Sequence, residues 1–195
     1  MFSFLRSAAL HRFEPERVHL PRHKRGATVS YAALHAAAPE IVAFYLSADL
    51  HVWFSKVIGE TIGPTPLNDQ SSCSLLFYDR PQDHIQWHFD YNFYNGRHFT
   101  ALLPLINEHA LQPRLSSAEL MARVRSSEFR VPTPPNTLIL FEGAYVCHKV
   151  TPLGENERRV ILSMTFTTDP TSTFVKCAGR RFKDIAYYGL RALWT

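Results

Sequence analysis

The chain lacks any apolar run approaching the roughly 20 residues that a membrane span requires, so no membrane span is expected. Cysteine is scarce. Cys73, Cys147 and Cys177 are the three in 195 residues, widely scattered and without a CxxC pair. An odd, dispersed set excludes a disulfide framework and a thiolate zinc site, and points to a reducing, cytoplasmic setting. Residues 1–13 carry a basic residue at Arg6 but no sustained apolar segment, which argues against a secretory signal. No internal repeat, low-complexity tract or nucleic-acid fingerprint is present, so no nucleic-acid partner is expected.

What is there reads as globular. A length of 195 residues, 46% hydrophobic and 19% charged, suits a single domain spanning 1–195 with a substantial core. The net charge is a modest +4. Its basic residues cluster at Arg17, Arg22, His23, Lys24 and Arg25, and again at Lys176, Arg180, Arg181 and Lys183; both groups read as solvated basic surface.

Patterning divides the chain into three parts. The part from about 1 to 62 is expected to be helical. Residues 30–47 carry Ala and Leu at helical spacing, with Pro39 placed to begin a second helix. Ala48–Ile58 then sets Leu50, Phe54, Val57 and Ile58 on one stripe that ends at Gly59. Gly63-Pro64-Thr65-Pro66 marks a loop. From about 70 to 170 short strand-like runs dominate, at 73–79, 84–90, 98–106, 136–142, 144–151 and 159–168. In the last, Val160, Leu162, Met164 and Phe166 alternate with Ile161, Ser163 and Thr165, the period of a strand with two different environments. Between these runs, 118–125 looks helical. A tail from about 178 to 195 places Phe182, Ile185, Gly189 and Leu193 near one helical face. The fold class expected is α+β, mainly β: a jelly-roll core with N-terminal helices packed on it and a short C-terminal helix.

The most informative motif is His88-Phe89-Asp90, followed far downstream by His148 and then Arg159. Strand residues two apart point the same way, so His88 and Asp90 converge while Phe89 faces the other layer. Joined by His148 from a distant strand, they make the two-His, one-carboxylate set that leaves open positions on a ferrous ion. His88, Asp90 and His148 are therefore the candidate metal-binding and catalytic residues. Trp87, Tyr91, Phe93 and Tyr94 flank the motif and suggest an aromatic-walled entrance. His51, His84 and His98 read as structural or surface histidines.

The residues around this motif resemble the prolyl-hydroxylase-like branch of the Fe(II)/2-oxoglutarate dioxygenases. Tyr78 stands ten residues before His88; Gly96-Arg97-His98-Phe99-Thr100 leads into a strand that ends at Asn107. His148-Lys149-Val150-Thr151-Pro152 and Arg158-Arg159 complete the match, which spans 78–166. The resemblance implies a double-stranded β-helix, with Fe(II), 2-oxoglutarate and O2 as cofactor and co-substrates. It assigns Arg159 to the distal carboxylate of 2-oxoglutarate, with Arg158 as competitor, and places Tyr78 and Thr100 in the same pocket. Where the oxygen-sensing members carry a second Tyr this chain has Pro104, so Ser163 or Thr165 is expected to serve that carboxylate.

The activity implied is hydroxylation, desaturation or cyclisation at an unactivated C–H, with release of succinate and CO2. A small metabolite or biosynthetic intermediate is the expected substrate, with a peptide or protein residue as the alternative. A 2-oxoglutarate-independent Fe(II) oxidase and a non-oxidative cupin-like metal protein stand behind these. The insertion at 107–135 is where a functional loop is expected.

Overall fold

The computed structural model describes residues 1–188 apart from Arg12 and Glu14. The chain runs α1 (Phe2–His11), β1 (Glu16–Leu20), β2 (Lys24–Val29), α2 (Tyr31–Ala37), α3 (Pro39–Tyr45), α4 (Ala48–Ile58) and β3 (Gly63–Pro64). It continues through β4 (Cys73–Tyr78), β5 (His84–His88), β6 (His98–His109), β7 (Leu120–Val124), β8 (Ser127–Val131), β9 (Ile139–Glu142), β10 (Cys147–Val150) and β11 (Glu157–Thr167), and closes with α5 (Phe174–Tyr188).

The helices begin and end where their chemistry dictates. Ser30 and Ser47 cap α2 and α4 by accepting from the backbone N–H groups of Ala33 and Leu50, and Pro39 opens α3. Gly59 ends α4 with φ 81°, a left-handed conformation that glycine adopts without steric cost. Pro39–Ile58 is long and apolar enough by composition to cross a membrane. It is two helices, broken at Leu46-Ser47, whose Ile41, Val42, Tyr45 and Phe54 are packed into the core.

One antiparallel sheet curls into the jelly-roll-like core, in the order β8-β7-β10-β5-β2-β4-β11-β6-β9, with β1 on β2 and β3 on β11. β11 lies at its centre, between β4 and β6. The alternation in β11 separates two environments: Val160, Leu162, Met164 and Phe166 join the main core under the helices, whereas Ile161 packs in a second cluster inside the curl with Tyr78, Ile85, Leu102 and Leu120. Around Phe166, the rings of Tyr45, Phe54 and His51 lie 4.9–5.7 Å away and fasten α3 and α4 to the sheet.

Three expectations are corrected. The part from 1 to 62 is not only helical: β1 and β2 lie in it, and β2 pairs with both β4 and β5 in the main sheet. The segment 118–125 holds strand β7 rather than a helix, because pairing with β8 and β10 overrides its helix-favouring Ala, Met and Arg content. Among the described side chains of α5 the buried ones are Arg180 and Asp184, while Phe182 is exposed, so this stretch packs a charged face inward. Gly189 and Leu193 lie outside the described residues.

Candidate metal centre and the cavities beside it

Strand pairing assembles the centre. His148 of β10 stands directly opposite His88 of β5, which sends both rings to the same side of the sheet. Asp90 follows β5 and is held by its backbone N–H donating to the Gly143 carbonyl at 3.0 Å. One ligand atom from each of His88, Asp90 and His148 lies within 4.8 Å of the others. The Nε2 atoms of His88 and His148 stand 3.7 and 3.9 Å from Asp90 Oδ1.

Each donor atom is presented by a second contact. His88 Nδ1 donates to the Gln86 carbonyl at 2.8 Å, and His148 Nδ1 to the Val146 carbonyl at 3.1 Å. A carbonyl oxygen can only accept, so the proton sits on Nδ1 and Nε2 keeps its lone pair for a metal. The Thr100 hydroxyl donates to Asp90 Oδ2 at 2.6 Å, which leaves Oδ1 facing the two imidazoles. Burial, followed by the neighbouring His148, lowers the His88 pKa to about 4, so its ring is neutral near pH 7. For Asp90, desolvation acts upward but is outweighed by His148, His88 and the Thr100 bond, and its pKa lies below the usual value. Two imidazoles and a carboxylate suit Fe(II), and the same set accepts other divalent ions.

A cavity runs from this centre into the curl, walled by Tyr78, Thr100, Leu102, Ile161 and Ser163 and ending on Arg159. Arg159 is 1% exposed, whereas Arg158, one residue earlier, points outward. The Arg159 guanidinium donates from Nη1 to the Ala118 carbonyl at 3.0 Å and to Thr133 Oγ1 at 2.9 Å. Its Nε has no partner among the described residues, and none of their carboxylates pairs with it. Desolvation lowers its pKa to about 10, which leaves it cationic at neutral pH. A buried charge without a counter-charge is costly, so the inner end of the cavity is built for an anion.

The other anticipated residues are placed as follows. Tyr78 is opposite Arg159 across β4 and β11 and shares its cavity. Ser163 lines this cavity and also a second one on the far side of Asp90; Thr165 lines only the second, and is bonded to Thr65 Oγ1 at 2.7 Å. Pro104 walls neither. It sits at a bulge in β6, where Ile161 pairs with Pro104 and Val160 with Ile106, so that Leu105 is the extra residue. The bulge sets Asn107 opposite Arg159, and Asn107 Nδ2 donates to the Thr133 carbonyl at 2.9 Å.

The aromatic entrance is largely corrected. Trp87 alternates away from the centre and lies under Arg123 and Lys149, 4.3 and 4.7 Å from its ring centroid. Phe93 and Tyr94 are buried, with Tyr94 Oη donating to Asp69 at 2.6 Å; Tyr91 alone of the four is exposed beside the second cavity. His84 is bonded to the Gln82 carbonyl and His51 to that of Tyr45; neither joins the metal cluster. The N-terminal basic cluster is not all solvated surface, since Lys24 is buried; desolvation lowers its pKa to about 8 against the attraction of Asp90.

Sequence reasoning missed Gly143, Thr133, Ala118 and Asn107. A Cβ on Gly143 would lie 2.6 Å from Asp90 Cβ and 2.9 Å from its Oδ2, so only glycine lets that loop support the carboxylate. The dipeptide Glu142-Gly143 before the His148 strand was a visible turn signal. The backbone carbonyl of Ala118 has no signal in sequence.

No protein-family model matches the chain, and no curated protein sequence does. Solved structures do resemble it. A prolyl-4-hydroxylase from Pseudomonas putida superposes over 86% of this chain and 87% of its own, at 18% identity and TM-score 0.55. A 2OG-Fe(II) oxygenase-family oxidoreductase from Burkholderia pseudomallei does so over 86% and 79%, at 14% identity and TM-score 0.66. The α-ketoglutarate-dependent carbocyclase SnoK of nogalamycin biosynthesis covers 92% of this chain and 81% of its own, at 13% identity and TM-score 0.63. The fold is therefore the one these 2-oxoglutarate/Fe(II) oxygenases share, in accord with the resemblance read from the sequence.

Proposed function

We propose that the chain is a non-heme Fe(II)- and 2-oxoglutarate-dependent oxygenase acting on a small metabolite or biosynthetic intermediate. The observation that carries this reading is the pairing, in one cavity, of the His88–Asp90–His148 cluster with a buried Arg159 that has no counter-charge among the described residues. A non-oxidative cupin-like protein has no need of that second feature. The fold of the solved oxygenases supports the same assignment.

In this reading His88 and His148 give Nε2 and Asp90 gives Oδ1 to iron. Arg159 holds the distal carboxylate of 2-oxoglutarate, with Tyr78, Thr100 and Ser163 along the cavity wall. A guanidinium suits that task because its donors match the two carboxylate oxygens. Of Ser163 and Thr165, the two expected to serve that carboxylate in place of a second Tyr, Ser163 lines this cavity and takes the role; Thr165 lines only the second cavity. Bound iron, 2-oxoglutarate and O2 supply the oxidation of an unactivated C–H, releasing succinate and CO2. Thr100 fixes the carboxylate ligand, and the apolar walls at Leu102 and Ile161 keep water from the inner cavity.

The test is co-substrate turnover. Fe(II)-loaded protein with 2-oxoglutarate and O2 is expected to form succinate slowly even without a substrate, and Asp90→Ala is expected to form none. Absence of succinate with iron bound at one equivalent would redirect attention to a 2-oxoglutarate-independent oxidase.

A further inference from the structure

Beyond Asp90, on the side away from Arg159, lies a second chamber of about 100 Å³. It shares Asp90, Thr100 and Ser163 with the co-substrate cavity, so it adjoins the cluster at its carboxylate. Its outer wall carries charged groups that already satisfy one another. Asp69 accepts from Tyr94 Oη at 2.6 Å, Ser71 N at 3.0 Å, Ser71 Oγ at 2.9 Å and Lys183 Nζ at 2.9 Å. Lys183, brought by α5, also donates to Ser71 Oγ and pairs with Asp184 Oδ1 at 3.2 Å. Asp69 Oδ1 thereby accepts three bonds and Oδ2 one, and the ammonium is shared between two hydrogen bonds and the ion pair with Asp184. His98 is different. It is 5% exposed, lines the chamber, and its Nδ1 has no partner among the described residues. Beside it stand the hydroxyls of Ser163 and Thr100.

We infer that this chamber is the substrate subsite and takes an uncharged, hydroxyl-bearing end of a small molecule, with His98 as the positioning residue. The lining atom left without a partner belongs to an imidazole, while the charges of Asp69 and Lys183 are already paired with each other, so a further charge is disfavoured there. The small volume limits the occupant to something the size of a short polyol or one end of a sugar. Leaving His98 unpaired costs free energy that a ligand hydroxyl restores. The inference rests on the oxygenase reading for its function, but the chamber and its chemistry are tested separately.

The experiment uses the full chain loaded with Zn(II), which occupies the cluster without redox chemistry, and two NMR readouts: ligand-observed saturation transfer for affinity and protein-observed spectra of the assigned His98 ring. The probes are glycerol, erythritol and D-ribose as neutral polyols, with malonate and putrescine as anionic and cationic molecules of similar size. 2-Oxoglutarate is titrated in the same samples. At least one polyol is expected to bind, at least tenfold more tightly than either charged probe, and to shift the His98 ring signals. His98→Phe is expected to weaken that polyol at least tenfold while 2-oxoglutarate binds as before. No polyol binding, a charged probe bound as well, an unmoved His98 ring, or an unaffected His98→Phe would each overturn the inference. Should that variant fail to fold, the ring shift in the wild type decides. Polyol binding without 2-oxoglutarate binding would instead sink the co-substrate reading and leave the chamber standing.

Discussion

At the scale of single residues, the chemistry lies in how each donor atom is aimed. Asp90 is held by three things: the Gly143 carbonyl on its N–H, the Thr100 hydroxyl on Oδ2, and the absence of a side chain at Gly143. Gly143→Ala is therefore expected to displace the carboxylate and weaken Fe(II) binding by about tenfold or more, the usual effect of disturbing a group behind a metal ligand. A metal titration followed by calorimetry measures it. Thr100→Val is expected to lose Fe(II) affinity in the same direction. Arg159 provides a different contrast. Because its charge has no counter-ion among the described residues, Arg159→Met is expected to leave the protein without ligand within about 1 kcal/mol of its original stability or above it. The same change is expected to abolish the rise in Tm that 2-oxoglutarate gives the Zn(II)-loaded wild type. A large loss of stability with the co-substrate effect retained would contradict the role assigned to this residue. The convergence of His88 and Asp90 was legible because HxD needs only the period of a strand. Arg159 over Arg158 followed from its face in β11. Thr133 and Ala118, which hold that guanidinium, were not legible, since they come from an insertion whose path no local pattern encodes.

At the scale of elements, β11 and α5 show where sequence periodicity suffices and where it fails. Alternation in β11 separated the core face from the site face because the two environments differ in polarity. For α5 the apolar positions suggested one face and the protein buries another, since Arg180 and Asp184 face inward and Lys183 bonds Asp69. Charge pairing across distant segments leaves no periodic trace. The β7 segment failed for the related reason that its neighbours in the sheet, not its own residues, set its conformation. Asp69 gives this scale its pH dependence. Desolvation pushes its pKa up, but Lys183, Tyr94 and Ser71 prevail and hold it at about 2, below the ordinary 3.8. A folded-state pKa below the unfolded one means the stabilisation is complete above about pH 4 and is lost as the pH falls through 2. The stability difference between wild type and Asp69→Asn is thus expected to be widest near neutrality and to shrink between pH 4 and 2. Urea unfolding at pH 7, 4 and 2.5 checks this, and a gap that widens on acidification would refute it.

At the scale of the whole molecule, the curled sheet turns one seam of residues into two rooms that meet at Asp90, Thr100 and Ser163. Helices α2–α4 cover the outer face of β4, β6 and β11, and the inner face is left for the site. Arg159 closes one room and the Asp69–Lys183 pair with His98 lines the other. In the function proposed above, the first room holds 2-oxoglutarate against iron. The most direct measurement is an anaerobic titration of the Fe(II) protein with 2-oxoglutarate, following the visible metal-to-ligand charge-transfer band. The band is expected to saturate at one equivalent in the wild type, to be absent in His148→Ala, and to need at least tenfold more 2-oxoglutarate in Arg159→Met. Stoichiometric iron binding with no band in the wild type would contradict the claim.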